Sequence, residues 1–292
     1  MKFTDLLVGA GIDTAKVLMM RHSPREPALR RVLPLLAADR QDLYNGYQRA
    51  QGENHERSML RLAGDGHVAS FIADGPRRAL FVGLYRISGA RPLTFDQFMA
   101  LPETIELGAL GMKTEPWERP TQQLFDLELQ DFRADWKGKL VVEWPKPEII
   151  WCRPAKNQDF PIVAIAEESK LSAVVKHWRE INLSWAELRV LSPSYRARLA
   201  EWRGIYFIFD GEDGKGYVGS AYGAANLLGR WQNYAASGHG GNKLLRARSP
   251  EKFQFTILER VSPDLEPDEV IQLEGTWKDR LHTRAPYGLN EN

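Results

Sequence analysis

Residues 203–223 read RGIYFIFDGEDGKGYVGSAYG, two β-rich runs around an Asp-Gly turn, and this pattern predicts a β-hairpin. Side chains alternate between the two faces of a strand. Tyr206 therefore shares a face with Ile208, and Tyr217 shares a face with Gly219, where the missing side chain leaves room for a close approach. Paired tyrosines in a hairpin are more often cross-strand packing than a functional pair, so the hairpin alone predicts structure rather than activity.

The next segment, AANLLGRWQNYAASG at 224–238, has the spacing of a helix that packs one face on the hairpin. Arg230 and Tyr234 are four residues apart, which places a guanidinium beside a phenol. That pair offers a fork of N–H donors for phosphate oxygens with a hydroxyl next to it. Taken alone, an arginine on a helix flank is more often a surface residue.

A later segment, PDEVIQLEGTWKDRL at 267–281, predicts a second helix with a carboxylate in an unexpected place. Glu274 falls inside an apolar stripe formed by Val270, Leu273, Trp277 and Leu281. A buried unpaired charge is costly, so Glu274 requires a partner: a salt bridge, a proton or a metal ion. The helix pattern by itself favours the salt bridge over the metal.

The order of G-I-Y at 204–206, Y-V-G at 217–219, a helix arginine, a later helix glutamate and a late asparagine resembles the GIY-YIG nuclease superfamily. The resemblance covers residues 202–292, and YVGSAYG, GRWQNY, GHGGN and YGLNEN are similar to stretches of bacterial GIY-YIG nuclease family proteins. It implies a small α+β domain with a three-stranded antiparallel sheet flanked by helices. It assigns a catalytic role to Tyr206, Tyr217, Arg230, Tyr234, Glu274 and Asn290, with Asn292 as an alternative to the last.

The resemblance also implies a metal-dependent endonuclease that leaves 5′-phosphate and 3′-hydroxyl ends. Glu274 would hold one divalent ion, Mg²⁺ or Mn²⁺, and Arg230 would contact the scissile phosphate. Tyr206 is the candidate general base, and because a phenol has a pKa of about 10, this role requires a lowered pKa or a proton relay. Ser220 is a departure, since some members have a lysine there.

A glycine-rich run from His239 to Asn242 follows the predicted helix, and its polar side chains either fix a tight loop or face the substrate. Lys243, Arg246 and Arg248 come next and predict a strip that contacts phosphates. The predicted substrate-binding residues are Ser220, His239, Asn242, Lys243 and Arg246.

The first part of the chain reads as helical, with an S-x-x-E capping box at Ser23 to Glu26 and Pro24 at the first helical position. From about Asp65, runs such as HVASFIAD and KGKLVVEW predict a mixed α+β segment. A GDG turn before a strand, the run FVGLYRISG and a Trp-flanked strand pair resemble PUA-like domains, which include the EVE and ASCH families. The sequence thus predicts an α+β protein in three parts: an N-terminal mixed helix and β-barrel-like domain at 1–170 for DNA recognition, a helical connector at 171–201 and the nuclease domain at 202–292.

Charge places the choice of substrate in the N-terminal domain. The chain has 39 Lys and Arg against 38 Asp and Glu, which excludes a broad basic coat for nucleic acid. From residue 201 on, 11 basic minus 13 acidic residues give −2, and 28 minus 25 give +3 for the first 200. We expect the N-terminal domain to select DNA by sequence, structure or a modified base, and a basic concave pocket lined by Trp or Tyr would favour base reading.

The cysteine content and the length of the apolar runs indicate the expected compartment of the protein. Cys152 is the single cysteine, which excludes an internal disulfide framework, and no apolar run approaches the roughly 20 residues of a membrane span. We expect a cytoplasmic protein without a membrane partner, monomeric or homodimeric, that acts on DNA, with duplex favoured. Because EVE-like domains read modified bases, restriction of foreign DNA is one expectation. A catalytically weak nucleic-acid-binding protein and a nuclease for RNA or single-stranded DNA are the alternatives.

Overall fold

The computed structural model describes residues 1–156, 158–171 and 175–291. Over these residues the chain is an α+β protein, as predicted, and it divides into two compact units, Met1–Ser172 and Ala173–Asn292. Within the described residues, no helix is both long enough and apolar enough to span a membrane.

The first unit combines helices with one curled sheet. Its helices are α1 Phe3–Gly9, α2 Pro27–Asp39, α3 Gln41–Gln48, α4 Glu53–Leu60, α5 Phe95–Met99 and α6 Pro102–Ala109. Its strands are β1 Val17–His22, β2 His67–Ala73, β3 Arg78–Leu93, β4 Gln122–Gln130, β5 Leu140–Glu143, β6 Cys152–Pro154 and β7 Ile162–Ile165. Short 3-10 helices cover Thr14–Lys16 and Ala134–Trp136.

The sheet of the first unit runs in the order β6-β1-β2-β3-β5-β7, and β4 pairs with β3 off this path. β1 and β2 are parallel, and the other pairs are antiparallel. The long strand β3 pairs with β2 and β5 in its first part and with β4 in its second. Against one face pack Phe3, Phe71 and Phe81, whose ring centroids are 5.2 to 5.5 Å apart. Burial of these rings is the main force that holds α1 on the sheet.

The first third of the chain differs from the predicted helical segment in two places. Helix α2 begins at Pro27 with Glu26 as its N-cap, so the capping box predicted at Ser23 to Glu26, with Pro24 as the first helical residue, is wrong. Pro27 starts the helix because its ring fixes φ and it lacks an N–H that the first turn would leave unpaired. Strand β1 is not predicted by the sequence pattern, because a strand buried at every position shows no alternation of apolar and polar residues.

The second unit is smaller. Its strands are β8 Asn182–Ser184, β9 Arg203–Asp210, β10 Gly216–Ala221 and β11 Phe253–Val261. Its helices are α7 Trp185–Arg189, α8 Pro193–Glu201, α9 Asn226–Ser237 and α10 Pro267–Arg280, with 3-10 helices at Trp178–Glu180 and Pro250–Lys252.

The sheet of the second unit runs β10-β9-β11-β8 over the described residues, with every pair antiparallel. It has one strand more than the three that the resemblance implied. The added strand β8 comes from the segment predicted as a helical connector. Ser184, its last residue, also caps α7, because its hydroxyl accepts the N–H of Glu187 and the Glu187 carboxylate accepts the N–H of Ser184.

The predicted hairpin is present as β9 and β10, with Gly219 opposite Tyr206 and Tyr217 opposite Ile208. Tyr206, Ile208 and Tyr217 lie in one buried cluster, as the alternation of side chains predicts. The close approach expected at Gly219 is made by the Tyr206 ring itself, since a side chain at Gly219 would overlap that ring.

Two helices cover opposite faces of this sheet. Trp231 of α9 packs on the face that carries the tyrosines. Val270 of α10 packs on the other face, against Ile205 and Val218. Strand β10 is the last strand at one side of the sheet, so both helices lie close to the same side of the sheet.

Candidate active site

A cavity of about 350 Å³ lies where β10 ends and the chain turns toward α9. Ser220 of β10, Arg230 of α9 and Glu274 of α10 line it. Because α9 and α10 pack on opposite faces, their side chains reach the cavity from the two sides of the sheet edge. Three predicted site residues therefore meet here, together with Asn233, which no motif indicates.

The predicted tyrosines form a buried cluster next to Arg230. The ring centroids of Tyr206, Tyr217 and Tyr234 are 6.0 to 6.4 Å apart. The Tyr206 hydroxyl lies 3.1 Å from the Tyr234 hydroxyl and accepts a hydrogen bond of 3.2 Å from Nε of Arg230. Tyr206 is 0% exposed, so the cluster supports the guanidinium from inside the protein.

Burial controls the ionisation of this cluster. It raises the pKa of Tyr206, the nearby Tyr217 raises it further, and the charge of Arg230 opposes both effects. Burial also raises the pKa of Tyr234. The interaction with the Tyr206 oxygen raises the pKa of Arg230 against the effect of its own burial. Tyr206 is therefore neutral and Arg230 charged at physiological pH, whereas a tyrosine acting alone as general base requires a lowered pKa.

Glu274 has two partners in its own unit. The Ser220 hydroxyl donates a hydrogen bond to Oε2, and Nζ of Lys278, one helical turn further on, lies 2.8 Å from Oε1. The side chains of Glu274 and Lys278 are only 17% and 9% exposed. Of the three partners that the sequence left open, the structure shows the salt bridge. The signal in the sequence is the Glu-to-Lys spacing of four residues, which pairs side chains on a helix.

Asn290 makes hydrogen bonds to strand β10 and does not line the cavity. Its side chain is 2% exposed, accepts a hydrogen bond of 3.0 Å from the Val218 N–H and donates one of 2.8 Å to the Val218 carbonyl. The Leu289 N–H bonds to the Gly216 carbonyl at 2.9 Å. The C-terminal segment thus pairs with the outer edge of β10. Asn292, the alternative to Asn290, lies outside the described residues.

His239 and Asn242 lie in the loop after α9, which ends at Gly238 with a φ of 77°. Nδ1 of His239 accepts the N–H of Gly241 at 3.0 Å, and Oδ1 of Asn242 accepts the N–H of Leu245 at 3.0 Å. These contacts favour loop fixation, one of the two interpretations of the HGGN run.

The predicted phosphate strip keeps only part of its charge free. Arg246 is exposed, and the exposed Lys243 lies 3.8 Å from a carboxylate oxygen of Glu291. Arg248 lies 2.7 Å from a carboxylate oxygen of Asp210 and 2.9 Å from one of Asp213. In the part of the chain that the structure describes, the cavity is lined by no residue from 239–246. A substrate reaching the strip would extend beyond the cavity.

A carboxylate and a guanidinium on one cavity, backed by hydroxyl groups on a small antiparallel sheet, are groups that can bind a cation and a phosphate ester. Residues 203–287 match the family model of the GIY-YIG catalytic domain. These residues are thus a GIY-YIG catalytic domain, and the match supports a nuclease.

Two solved structures are similar to this part of the chain. The catalytic domain of the homing endonuclease I-TevI is 28% identical, with a TM-score of 0.26, and the match covers 31% of this chain and 98% of that one. A mutant catalytic domain of the intron endonuclease I-TevI is 26% identical, with the same TM-score, and the match covers 31% and 94%. The comparison with curated proteins gave no match. The resemblance of the first unit to PUA-like domains stays a prediction.

GIY-YIG nucleases generally use divalent metal ions, and the cavity fits one kind of metal site. The described residues contain no cluster of three or more His, Cys, Asp or Glu side chains that would enclose an ion. An ion at Glu274 would therefore keep several waters or phosphate oxygens among its ligands, as Mg²⁺ usually does in proteins. A carboxylate has about four lone-pair positions, so the contacts from Ser220 and Lys278 leave acceptor capacity. The donor set fits a hydrated hard cation.

Proposed function

We propose that this protein is a metal-dependent endonuclease that hydrolyses DNA phosphodiester bonds at the cavity bounded by Ser220, Arg230 and Glu274. The observation that carries the proposal is the meeting of a carboxylate and a guanidinium, from helices on opposite faces of the sheet, on one open cavity. Hydrolysis of a phosphodiester requires positive charge on the non-bridging oxygens and help for the leaving 3′-oxygen. Duplex DNA is the favoured substrate.

Arg230 binds the scissile phosphate in this mechanism. Its Nε–H is used by the Tyr206 hydroxyl, so the four N–H groups on its terminal nitrogens form a fork that suits a phosphate. The hydrogen bond to a buried phenol holds this fork in place before substrate arrives. A donor held in advance stabilises developing charge without reorganisation at the moment of reaction.

Tyr206 is primarily a positioning residue. Its raised pKa keeps the phenol protonated at neutral pH, so the Tyr206 oxygen does not act as a base by itself. In the other role that the sequence allows, a proton relay, Tyr206 would pass the proton of water to Tyr234 only if Tyr234 passed its own proton on to a further acceptor. Tyr206→Phe should therefore lose cleavage by misplacing Arg230, and a wild-type rate from pH 6 to 9 would exclude both roles.

Glu274 would hold the cation, Mg²⁺ or Mn²⁺, one per active site. When bound, the ion supplies positive charge to the phosphate and to the leaving oxygen. Ser220 orients the carboxylate through its hydrogen bond to Oε2, and Lys278 balances the charge of Oε1. The products expected from this arrangement have 5′-phosphate and 3′-hydroxyl ends.

The test is nicking of supercoiled plasmid in the presence of Mg²⁺ or Mn²⁺. We expect the wild type to nick, and chelation with EDTA or the change Glu274→Ala to abolish nicking. Asp268→Ala is the matched control, because it removes an exposed carboxylate from the same helix. Resealing of the nicks by DNA ligase reports the predicted ends. Nicking by Glu274→Ala at the wild-type rate would contradict the proposal.

A second candidate function is a nucleic-acid-binding protein with a weak nuclease site. The ion pair between Glu274 and Lys278 favours it, because the carboxylate is satisfied without a cation. This function predicts DNA binding by wild type and Glu274→Ala alike, with little cutting by either. Parallel digestion of duplex, single-stranded DNA and RNA separates it from a nuclease with another substrate.

We assign the choice of DNA to the first unit, and foreign or modified DNA, as in restriction, is the target that we propose. The assignment is supported by the charge of residues 201–292, where 11 basic minus 13 acidic residues give −2 and offer little general affinity for DNA. Digestion of matched unmodified and modified DNAs tests the selective form. Equal cutting of both would contradict it.

A further inference from the structure

The first unit contains a cavity of about 700 Å³ that the nuclease chemistry does not use. Its size lies within the range of about 300–1,000 Å³ typical of ligand sites. The lining comes from the end of β1 and the loop after it, from α3, and from the segments around residues 112–117 and 148–151. Its aromatic rings are those of His22, Tyr47, Phe98, Trp117 and Trp151.

These rings form two groups. The His22 ring is 5.2 Å from that of Tyr47 and 6.2 Å from that of Trp151. In the second group, Trp117 lies 5.3 Å from Phe98. Exposed aromatic faces bind planar heteroaromatic rings, and stacking contributes about 1–3 kcal/mol per nucleobase. The cavity is therefore equipped for a flat ring.

His22 adds a polar group that lacks a partner. It is 3% exposed, and burial lowers its pKa to about 4, so the imidazole is neutral. Gln48 makes a hydrogen bond with its ring, but Nε2 has no hydrogen-bond partner among the described residues. An unsatisfied buried polar atom costs about 1–3 kcal/mol. Because Nε2 is itself inaccessible to solvent, it belongs to the buried part of the ring rather than to the surface that a ligand in the cavity reaches.

The mouth of the cavity carries positive charge and one apolar side chain. Arg25 and Lys113 are exposed lining residues for which the described part of the chain shows no ion pair, and only Glu26 opposes them. The other charged pair of the lining, Arg21 and Glu148, is internally neutralised at 3.3 Å. The exposed cations suit a phosphate backbone passing the mouth.

Ile149 also lines the cavity and is 85% exposed. Large apolar side chains exposed singly are common on protein surfaces, so Ile149 counts here only through its place on the cavity. Apolar side chains of this kind enter base stacks and fill the space that a displaced base leaves.

We propose that this cavity holds a single nucleobase extruded from DNA, with its ring against Trp151 and Tyr47 and the backbone at Arg25 and Lys113. The proposal rests on the proposed function as a DNA nuclease and names the site that selects the DNA. Extrusion costs a few kcal/mol and costs least for a mispaired base. Aromatic walls and a cationic mouth recognise a base within a chain of phosphates.

The test uses full-length Glu274→Ala protein, which leaves the DNA uncut, and fluorescence anisotropy on short labelled duplexes. One duplex is fully paired, one has a central mismatch and one carries a single 5-methylcytosine. We expect the mismatched duplex to bind about tenfold more tightly than the paired one, because part of the extrusion cost is removed. Adding Trp151→Ala should abolish that preference and weaken binding about tenfold.

Two further variants separate recognition from folding. Trp136→Ala removes an equally large ring of the same unit outside the cavity and should keep the preference. Ile149→Asp alters an exposed side chain, so it should fold and yet lose the preference. Equal dissociation constants for the three duplexes, or a preference that survives Trp151→Ala, would overturn the proposal. So would displacement of the duplex by micromolar free nucleoside monophosphates, which would assign the cavity to a free nucleotide.

The outcomes also separate this proposal from the nuclease. Plasmid nicking by the wild type without any preference among the duplexes contradicts the base site alone. A clear preference in a protein that does not nick with any divalent cation contradicts the nuclease alone.

Discussion

The Gly219→Ala variant tests whether the close approach between β10 and Tyr206 sets the position of Arg230. A Cβ at this position would lie 2.5 Å from Cζ of Tyr206 and 3.0 Å from Cε1 of Tyr217. Carbon atoms in contact prefer about 3.5 Å, so the Tyr206 ring must retreat by about 1 Å. Its hydrogen bonds to Tyr234 and Arg230, at 3.1 and 3.2 Å, are already near the upper limit of hydrogen-bond length, so a shift of this size breaks them. We expect a fall in cleavage rate of about 100-fold, the usual cost of a displacement of about 1 Å at an active site.

The measurement is single-turnover plasmid nicking with thermal unfolding as a companion. Overpacking should cost about 1–3 kcal/mol of unfolding free energy, which leaves the protein folded at the assay temperature if its stability is typical. Gly275→Ala is the matched control: it lies beside Glu274 on α10, and an added Cβ there meets nothing within 4 Å. It should nick normally and gain up to about 1 kcal/mol from helix propensity. A folded Gly219→Ala protein that nicks at the wild-type rate would refute the reasoning.

Three other changes have definite expected results. Asn290→Ala leaves the Val218 N–H and carbonyl without their side-chain partners. It should lower the unfolding free energy by about 1–3 kcal/mol in a denaturant titration. No change would mean that water replaces the side chain at no cost. Lys278→Met removes the cation beside Glu274 and should tighten Mn²⁺ binding about tenfold in calorimetry. Two unit charges about 4 Å apart interact by roughly 4 kcal/mol at an effective dielectric constant of 20, and a tenfold change is only a part of that energy. Unchanged affinity would show that the ammonium does not oppose the ion. His22 has a folded pKa of about 4, below its unfolded value of 6.5, so its contribution to stability is complete above pH 6.5 and is lost as the pH falls toward 4. Compared with His22→Gln, the wild type should lose about 3 kcal/mol more over this window, and parallel pH profiles for the two proteins would contradict the shift.

Sequence periodicity located the hairpin and the two helices that carry the site, but it missed β8 and did not show how the elements combine. Alternation placed Tyr206 and Tyr217 on one face, and helical spacing placed Arg230 and Glu274 on separate helices, as the structure shows. Periodicity does not say which strand is at the edge of a sheet. The meeting of Arg230 with Glu274 depends on that fact, because the two helices cover opposite faces and touch only around β10.

Prediction from the sequence falls short in the first unit for a related reason. Strand β1 is buried on both faces, which removes the alternation by which strands are recognised. Its last residues, Arg21 and His22, line the cavity proposed for a nucleobase, so an unpredicted strand supplies part of an unpredicted site. The cavity also draws on segments more than 100 residues apart, and no local pattern indicates such a combination.

The residues of the GIY-YIG motif divide into two groups by what they touch. Ser220, Arg230 and Glu274 line the cavity, whereas Tyr206 and Asn290 do not and instead hold the structure around β10. Tyr206 packs on Gly219 from inside the sheet, and Asn290 bonds to Val218 from outside it. A strand at the edge of a sheet is free to shift unless both of its sides are held. Because Arg230 and Glu274 line the cavity from the two sides of this strand, we expect its position to set the distance between them, so Tyr206 and Asn290 should matter to cleavage without contacting the substrate.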